Sequence, residues 1–243
     1  MAAARPLKQL MLAALGLAAA AAILGVAAVS RAPDLTFAPR MANTADSLSD
    51  GRALYVQKFE VTIAEWAHCN AAGACSLMIK ARPGMDAETT PATGLNYVDV
   101  LEYLDWMNSQ TRHSFRLPTM AEWNEIATEV LPEKPDPIFT DPSLTWASTY
   151  LVENLPGRAL KPTGSFAMSK EGIGDLTGSV WEWTQDCFNG DDPDRCAAYY
   201  VGGEHLAVIS FLVRDPALGG CAVGAPPAHL GLRLVSDRPV PSG

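Results

Sequence analysis

The chain has 243 residues, a formal charge of −9, 48% hydrophobic residues, 18 prolines and 19 glycines. That length suits one domain of ordinary size behind a leader, and the Pro and Gly content argues against a fold of long helices. Setting aside Arg5 and Lys8 of the leader, 16 basic residues face 27 acidic ones, so the remainder stands at −11 and would repel a phosphate backbone; nucleic-acid binding is excluded. No repeat of 20–50 residues is present.

The first element is an export segment. Arg5 and Lys8 precede Leu10–Val29, an apolar run with no charge. Such a run is about 30 Å long as a helix, enough to cross a bilayer core. Its length favours an uncleaved anchor. Its many alanines, and the small-x-small triplet Ala28-Val29-Ser30, favour a cleaved signal peptide. Both readings of residues 1–30 stay open, and both place the rest of the chain outside the cytoplasm. Residues 31–52, with Pro33, Pro39 and Gly51, read as a linker. The folded domain is expected over 53–238.

Phe59–Trp66 begins with strand alternation and turns helical at Thr62, where Thr62-x-x-Glu65 forms a capping box. Cys69 and Cys75 then bracket the turn Asn70-Ala71-Ala72-Gly73, and export permits a disulfide there. Asn96–Asn108 is the strongest helix signal, with Tyr97, Leu101 and Leu104 on one stripe, Val98 and Met107 beside it, and acids on the other side. Thr119 and Glu122 form a second capping box behind Pro118. Gly164–Phe166 and Gly172–Trp183 combine glycines with Asp175 and Ser179, which predicts tight backbone. Within that run Trp181 and Trp183 should share one face and Glu182 the other. Asp175 and Glu182 could offer carboxylates to a hard cation, with structural turns as the plainer reading.

Cys187 and Cys196 bracket another turn-rich loop, which leaves Cys221 as a buried thiol or a partner in an alternative pairing. No CxxC or HExxH occurs, so zinc spacing is missing. The histidines His68, His113, His205 and His229 show no i, i+3 or i, i+4 pairing. Only Glu204-His205, directly after Gly202-Gly203, is placed for chemistry, and in a strand only one of the two could face a given groove. Arg214 and Arg233 are expected to pair with carboxylates of this acidic chain.

Together, in order, these segments resemble a known family. Phe59–Trp66 is similar to its "YEVTNAQY" strand, Arg116–Trp123 to "RLPTEAEWE", and Gly172–Trp183 to "GLYDMxGNVWEW". Gly202-Gly203 is similar to "RGGSW", and Gly231–Leu234 to the closing "GFRL". They are the hallmarks of the formylglycine-generating enzyme (sulfatase-modifying factor) family, over roughly 54–236. The resemblance implies an α+β, C-type-lectin-like fold with little regular secondary structure. It also implies copper-dependent oxidation of a sulfatase cysteine through two thiolates. Laid on this chain those two cysteines fall on Ala207 and Leu212, so formylglycine formation is not expected. One calcium site of the family maps onto Asp175, Gly178, Val180 and Glu182.

Two further stretches, Asp141–Ala147 and Phe211–Gly224, resemble a branch of the family described as nitrite reductase accessory proteins. The leading expectation is thus an exported binding or maturation protein for a protein client such as copper nitrite reductase. The alternative is a metal-dependent oxidase or oxygenase with a site rebuilt from Glu204, His205 and Cys221 around copper or iron.

Overall fold

The computed structural model describes residues 34–132, 138, 139, 141, 144, 159–190, 195–204, 207–216, 220–222 and 227–240, the last-but-one segment by its backbone only. The apolar run 10–29 and His205 lie outside the described residues. Among those described, no helix is long and apolar enough to cross a membrane.

Among the described residues there are three α-helices: α1 (Ile63–Ala71), α2 (Tyr97–Thr111) and α3 (Met120–Ala127). Each starts on a reciprocal capping box, Thr62 with Glu65, Asn96 with Asp99 and Thr119 with Glu122. Each box satisfies N–H groups that have no intrahelical acceptor, and a cap of this kind contributes about 1 kcal/mol. Helix α2 ends at Arg112, whose φ of 51° is left-handed.

The strands are short. They are β1 (Asp46–Ser47), β2 (Ala53–Val56), β3 (Val180–Cys187), β4 (Ala198–Gly202), β5 (Ala207–Ser210), β6 (Gly220–Ala222), β7 (His229–Gly231) and β8 (Val235–Ser236). One sheet has the order β1-β2-β8 and is antiparallel. The other has the order β6-β5-β4-β3-β7, antiparallel except for the parallel pair β3–β7. Short strands, few helices and long connections give the α+β architecture that the Pro and Gly content foreshadows.

Two apolar clusters fill the fold. The larger gathers Trp66, Tyr97, Val100, Tyr103, Met107, Trp181, Trp183, Val201 and Ile209 between α1, α2 and the five-stranded sheet. The smaller joins Leu48, Leu54, Val56, Trp123, Ile126, Ile173 and Val235 around β2 and α3. Trp181 and Trp183 belong to the first, while Glu182 between them points to Trp123 of the second.

Two expectations are corrected. Residues 31–52 are not a free linker from Asp34 onward. Phe37 packs on Trp106 with ring centres 5.3 Å apart, Met41 bridges to Gln57, β1 pairs with β2, and Leu48 is buried. The buried stripe of α2 also differs. Leu101 and Val98 are exposed, whereas Val100, Tyr103 and Trp106 are buried beside Tyr97, Leu104 and Met107. Nor are all its acids on the outer side: Asp99 is 1% exposed and takes both a cap and a bidentate pair with Arg214 at 2.7 and 2.8 Å.

Disulfides join Cys69 to Cys75 and Cys187 to Cys196. Such bonds persist in oxidising compartments and are rare in the reducing cytosol.

Candidate functional site

The end of β4 is a glycine shelf between two tryptophans. A Cβ added to Gly202 would stand 2.2 Å from the Trp123 ring, and one added to Gly203 would stand 2.1 Å from the Trp181 ring. Only glycine permits this approach of backbone to ring. Glu204 follows and is exposed. Cys221 is placed on β6 in register with Val208. The side chain of Cys221 and the whole of His205 lie outside the described residues.

Beneath the shelf lies a buried ion centre. Glu182 pairs in register with Gly202 across β3–β4 and with Gly231 across β3–β7. Its carboxylate accepts from Trp123 Nε1 at 2.9 Å and from Arg233. Arg233 is fully buried. A guanidinium carries five N–H donors, and all five are engaged here. Nε and one Nη2 proton go to Glu182, at 2.9 and 2.7 Å. The Nη1 protons go to the carbonyls of Gln57 and Lys58 at 3.0 and 2.9 Å, and the other Nη2 proton goes to that of Gly174 at 2.8 Å. Arg233 therefore ties together strand-like backbone at 57–58, the 172–178 loop, β3 and the C-terminal segment.

Glu60 faces the same centre and was not singled out by sequence reasoning. Its Oε2 is 3.8 Å from Arg233 Nη2 and has no hydrogen-bond partner. Burial pushes its carboxyl up to about 8, against the pull of Arg233 and with added push from Glu182 and Asp175. The signal available was a lone charge in the apolar alternation Phe59-Glu60-Val61. Asp175, also buried, has a left-handed φ of 67°. Its two carboxylate oxygens accept the backbone N–H groups of Gly164 and Phe166, which closes the loop 164–175.

The expected ion pairs of Arg214 and Arg233 are both present, with Asp99 and Glu182. The described histidines have structural surroundings. His68 packs on Phe37, His113 bonds Ser236 Oγ at 2.7 Å, and His229 lies on β7. The His113 imidazole is held below its ordinary value by burial and by the nearby Arg238. Among the described residues, no group of three or more His, Cys, Asp or Glu is arranged to hold a metal ion.

The sulfatase-modifying factor enzyme 1-like domain model matches residues 33–238. The chain belongs to this family. Its fold is shared with PvdO from Pseudomonas aeruginosa, at 16% identity over 84% of this chain and 96% of that one, TM-score 0.50. Treponema denticola variable protein 1 (14% identity, 82% and 91% covered, TM-score 0.49) and CarF (15%, 82% and 96%, 0.48) are also similar. No curated protein matches the chain.

Family membership sharpens two tests. The two positions onto which the sequence resemblance places thiolates are Ala207, fully buried in β5 between Val201 and Ala222, and Leu212, 59% exposed. Neither offers a soft ligand. The carboxylates mapped onto the family's calcium site are engaged by protein donors in this structure, at both oxygens of Glu182 and both of Asp175. A divalent ion on Glu182 would also lie beside the Arg233 guanidinium in a site closed to water.

Proposed function

We propose that this member of the sulfatase-modifying factor family works by holding a protein client outside the cytoplasm, without formylglycine chemistry, and that the client is a copper nitrite reductase. The observation that carries this reading is a kept scaffold with lost ligands. The Gly202–Gly203 shelf, packed on Trp123 and Trp181, is intact, while the thiolate positions are Ala207 and Leu212. A backbone shelf with no thiolates suits recognition of an extended segment better than oxygen activation at copper. The two disulfides support an exported protein, and the likeness of Asp141–Ala147 and Phe211–Gly224 to the accessory branch supports the client.

The test is co-purification. The full chain, tagged at its C-terminus, is expressed in a host that makes copper nitrite reductase, lightly cross-linked, and its partners are identified by mass spectrometry. Nitrite reductase as the dominant partner, recovered chemically unchanged, is the expected result. Its absence, together with copper or iron bound in stoichiometric amount, would replace this reading with a rebuilt oxidase site.

A further inference from the structure

We propose that Glu60 is kept as the neutral acid in the folded domain, and that its ionisation is passed through Arg233, Glu182 and Trp123 to the glycine shelf at the end of β4. The inference does not rest on the identity of the client.

Glu60 is 2% exposed, so water is not freely at hand to solvate an anion. Its natural partner would be Arg233, yet all five guanidinium protons are directed elsewhere. Oε2 is left at 3.8 Å without a hydrogen bond, and only the field of Arg233 and its own backbone N–H oppose the rise that burial imposes on the carboxyl. Charge gives the same answer. The groups facing Glu60 are Arg233 from the C-terminal segment, Glu182 from β3 and Asp175 from the 172–178 loop. With Glu60 ionised, one cation would face three carboxylates in a closed core. With Glu60 neutral, the excess falls to one. The direction of its titration, raised toward about 8, agrees with this geometry.

The route outward is a chain of contacts. Arg233 lies 2.7 Å from Glu182 Oε1, Glu182 Oε2 accepts the Trp123 indole N–H at 2.9 Å, and the Trp123 ring lies against Gly202. An added negative charge at Glu60 draws the guanidinium toward it. That weakens its hold on Glu182 and changes the acceptor offered to Trp123. The shelf therefore senses the proton through one ring.

The measurement pairs infrared spectroscopy of the purified protein with indole N–H NMR, across about pH 6 to 9. Expected is a buried carboxylic-acid band at the acid end, lost with a midpoint near 8, with the Trp123 indole resonance moving in step. Glu60→Gln should show neither the band nor the shift. Absence of the band at about pH 6, or its loss in the ordinary carboxylate range, would overturn the neutral acid. A band that titrates while Trp123 stays still would overturn the transmission. Should Glu60→Gln fail to fold, the wild-type titration decides alone. Both titrations are run with EDTA and with calcium chloride, and the same midpoint is expected. A midpoint drawn below neutrality by calcium would make a metal, not a proton, the counter-charge and overturn the proposal.

Discussion

Arg233 and Arg116 each organise carboxylates, but one does so in the core and the other at the surface. Arg233 and Glu182 are closed to water, and every guanidinium proton has a partner. Arg116 is 23% exposed and forks to Glu122 at 2.6 and 2.8 Å and to Asp237 at 2.5 and 2.9 Å, with Arg52 and Asp50 at the rim. The same chemistry therefore carries different free energies. In the core a lost partner leaves a charge and several carbonyls without solvent, whereas at the rim water replaces the lost partner.

The largest expected effect follows from the inner assembly. Arg233→Met should cost about 3–5 kcal/mol in urea denaturation, enough to bring a marginally stable domain close to unfolding. Pairing it with Glu182→Gln should recover part of that loss, because the residual buried charge is then removed. Equal losses for single and double variants would show that the three carbonyls, and not the carboxylate, set the cost.

Next comes the shelf above the inner assembly. Gly203→Ala places a methyl 2.1 Å from the Trp181 ring. Trp181 is part of the larger core and has little room to shift, so the loss should be roughly 1–3 kcal/mol, toward the upper end. A thermal melt unchanged from wild type would mean that the ring moves freely, and that the shelf is not a rigid platform.

The two assemblies also oppose each other in pH. Burial raises the Glu122 carboxyl, but hydrogen bonds from Arg116, the Thr119 N–H and Arg52 outweigh it and hold the group below its usual value. A folded-state value below the unfolded one means that its stability is present at neutral pH and lost as pH falls through the folded value. Glu60 has the opposite sign. Its contribution is full below the unfolded value near 4.5 and is lost as pH rises toward about 8. Stability should thus fall on both sides of a mildly acidic optimum. Glu122→Gln should cost roughly 1–2 kcal/mol at neutral pH and flatten the acid side alone. A variant that flattens both sides would show that the assemblies are coupled.

The difference between core and rim also governs what could be read from sequence. Local signals were legible. The boxes at Thr62 and Thr119, the Cys69–Cys75 and Cys187–Cys196 pairs, and the split of Trp181 and Trp183 from Glu182 all depend on spacings of a few residues. Helix α2 shows where this stops. It is apolar at positions 97, 98, 100, 101, 103, 104, 106 and 107, so periodicity alone leaves its rotation open. The stacking of Tyr103 on Trp66, with ring centres 5.4 Å apart, turns Val100 inward and leaves Leu101 outside. Residues 34–52 looked like a linker because polar turns hide Phe37, whose partner Trp106 lies far along the chain, and Leu48, buried in the smaller cluster. Glu60 was missed for the same reason, since its neighbours come from positions 175, 182 and 233. The residues mapped onto the calcium site were legible as residues, but not the donors that reach them, Trp123 on Glu182 and the Gly164 and Phe166 N–H groups on Asp175.

The smallest expected effect lies at the rim and tests whether the outer assembly is one unit or several independent pairs. Arg52 is 53% exposed and touches Asp50, Glu122 and Asp237. Asp50 is likewise about half exposed, so a long side chain must be ordered for a screened attraction. Arg52→Ala should leave the urea midpoint unchanged, and high salt should not separate the variant from wild type. Arg116 keeps its bidentate hold on Glu122, so the cap of α3 stays satisfied without Arg52. If Arg52→Ala instead destabilised the domain as much as Glu122→Gln, the rim would be a cooperative network. The contrast between a core that needs every partner and a surface that does not would then fail at its outer half.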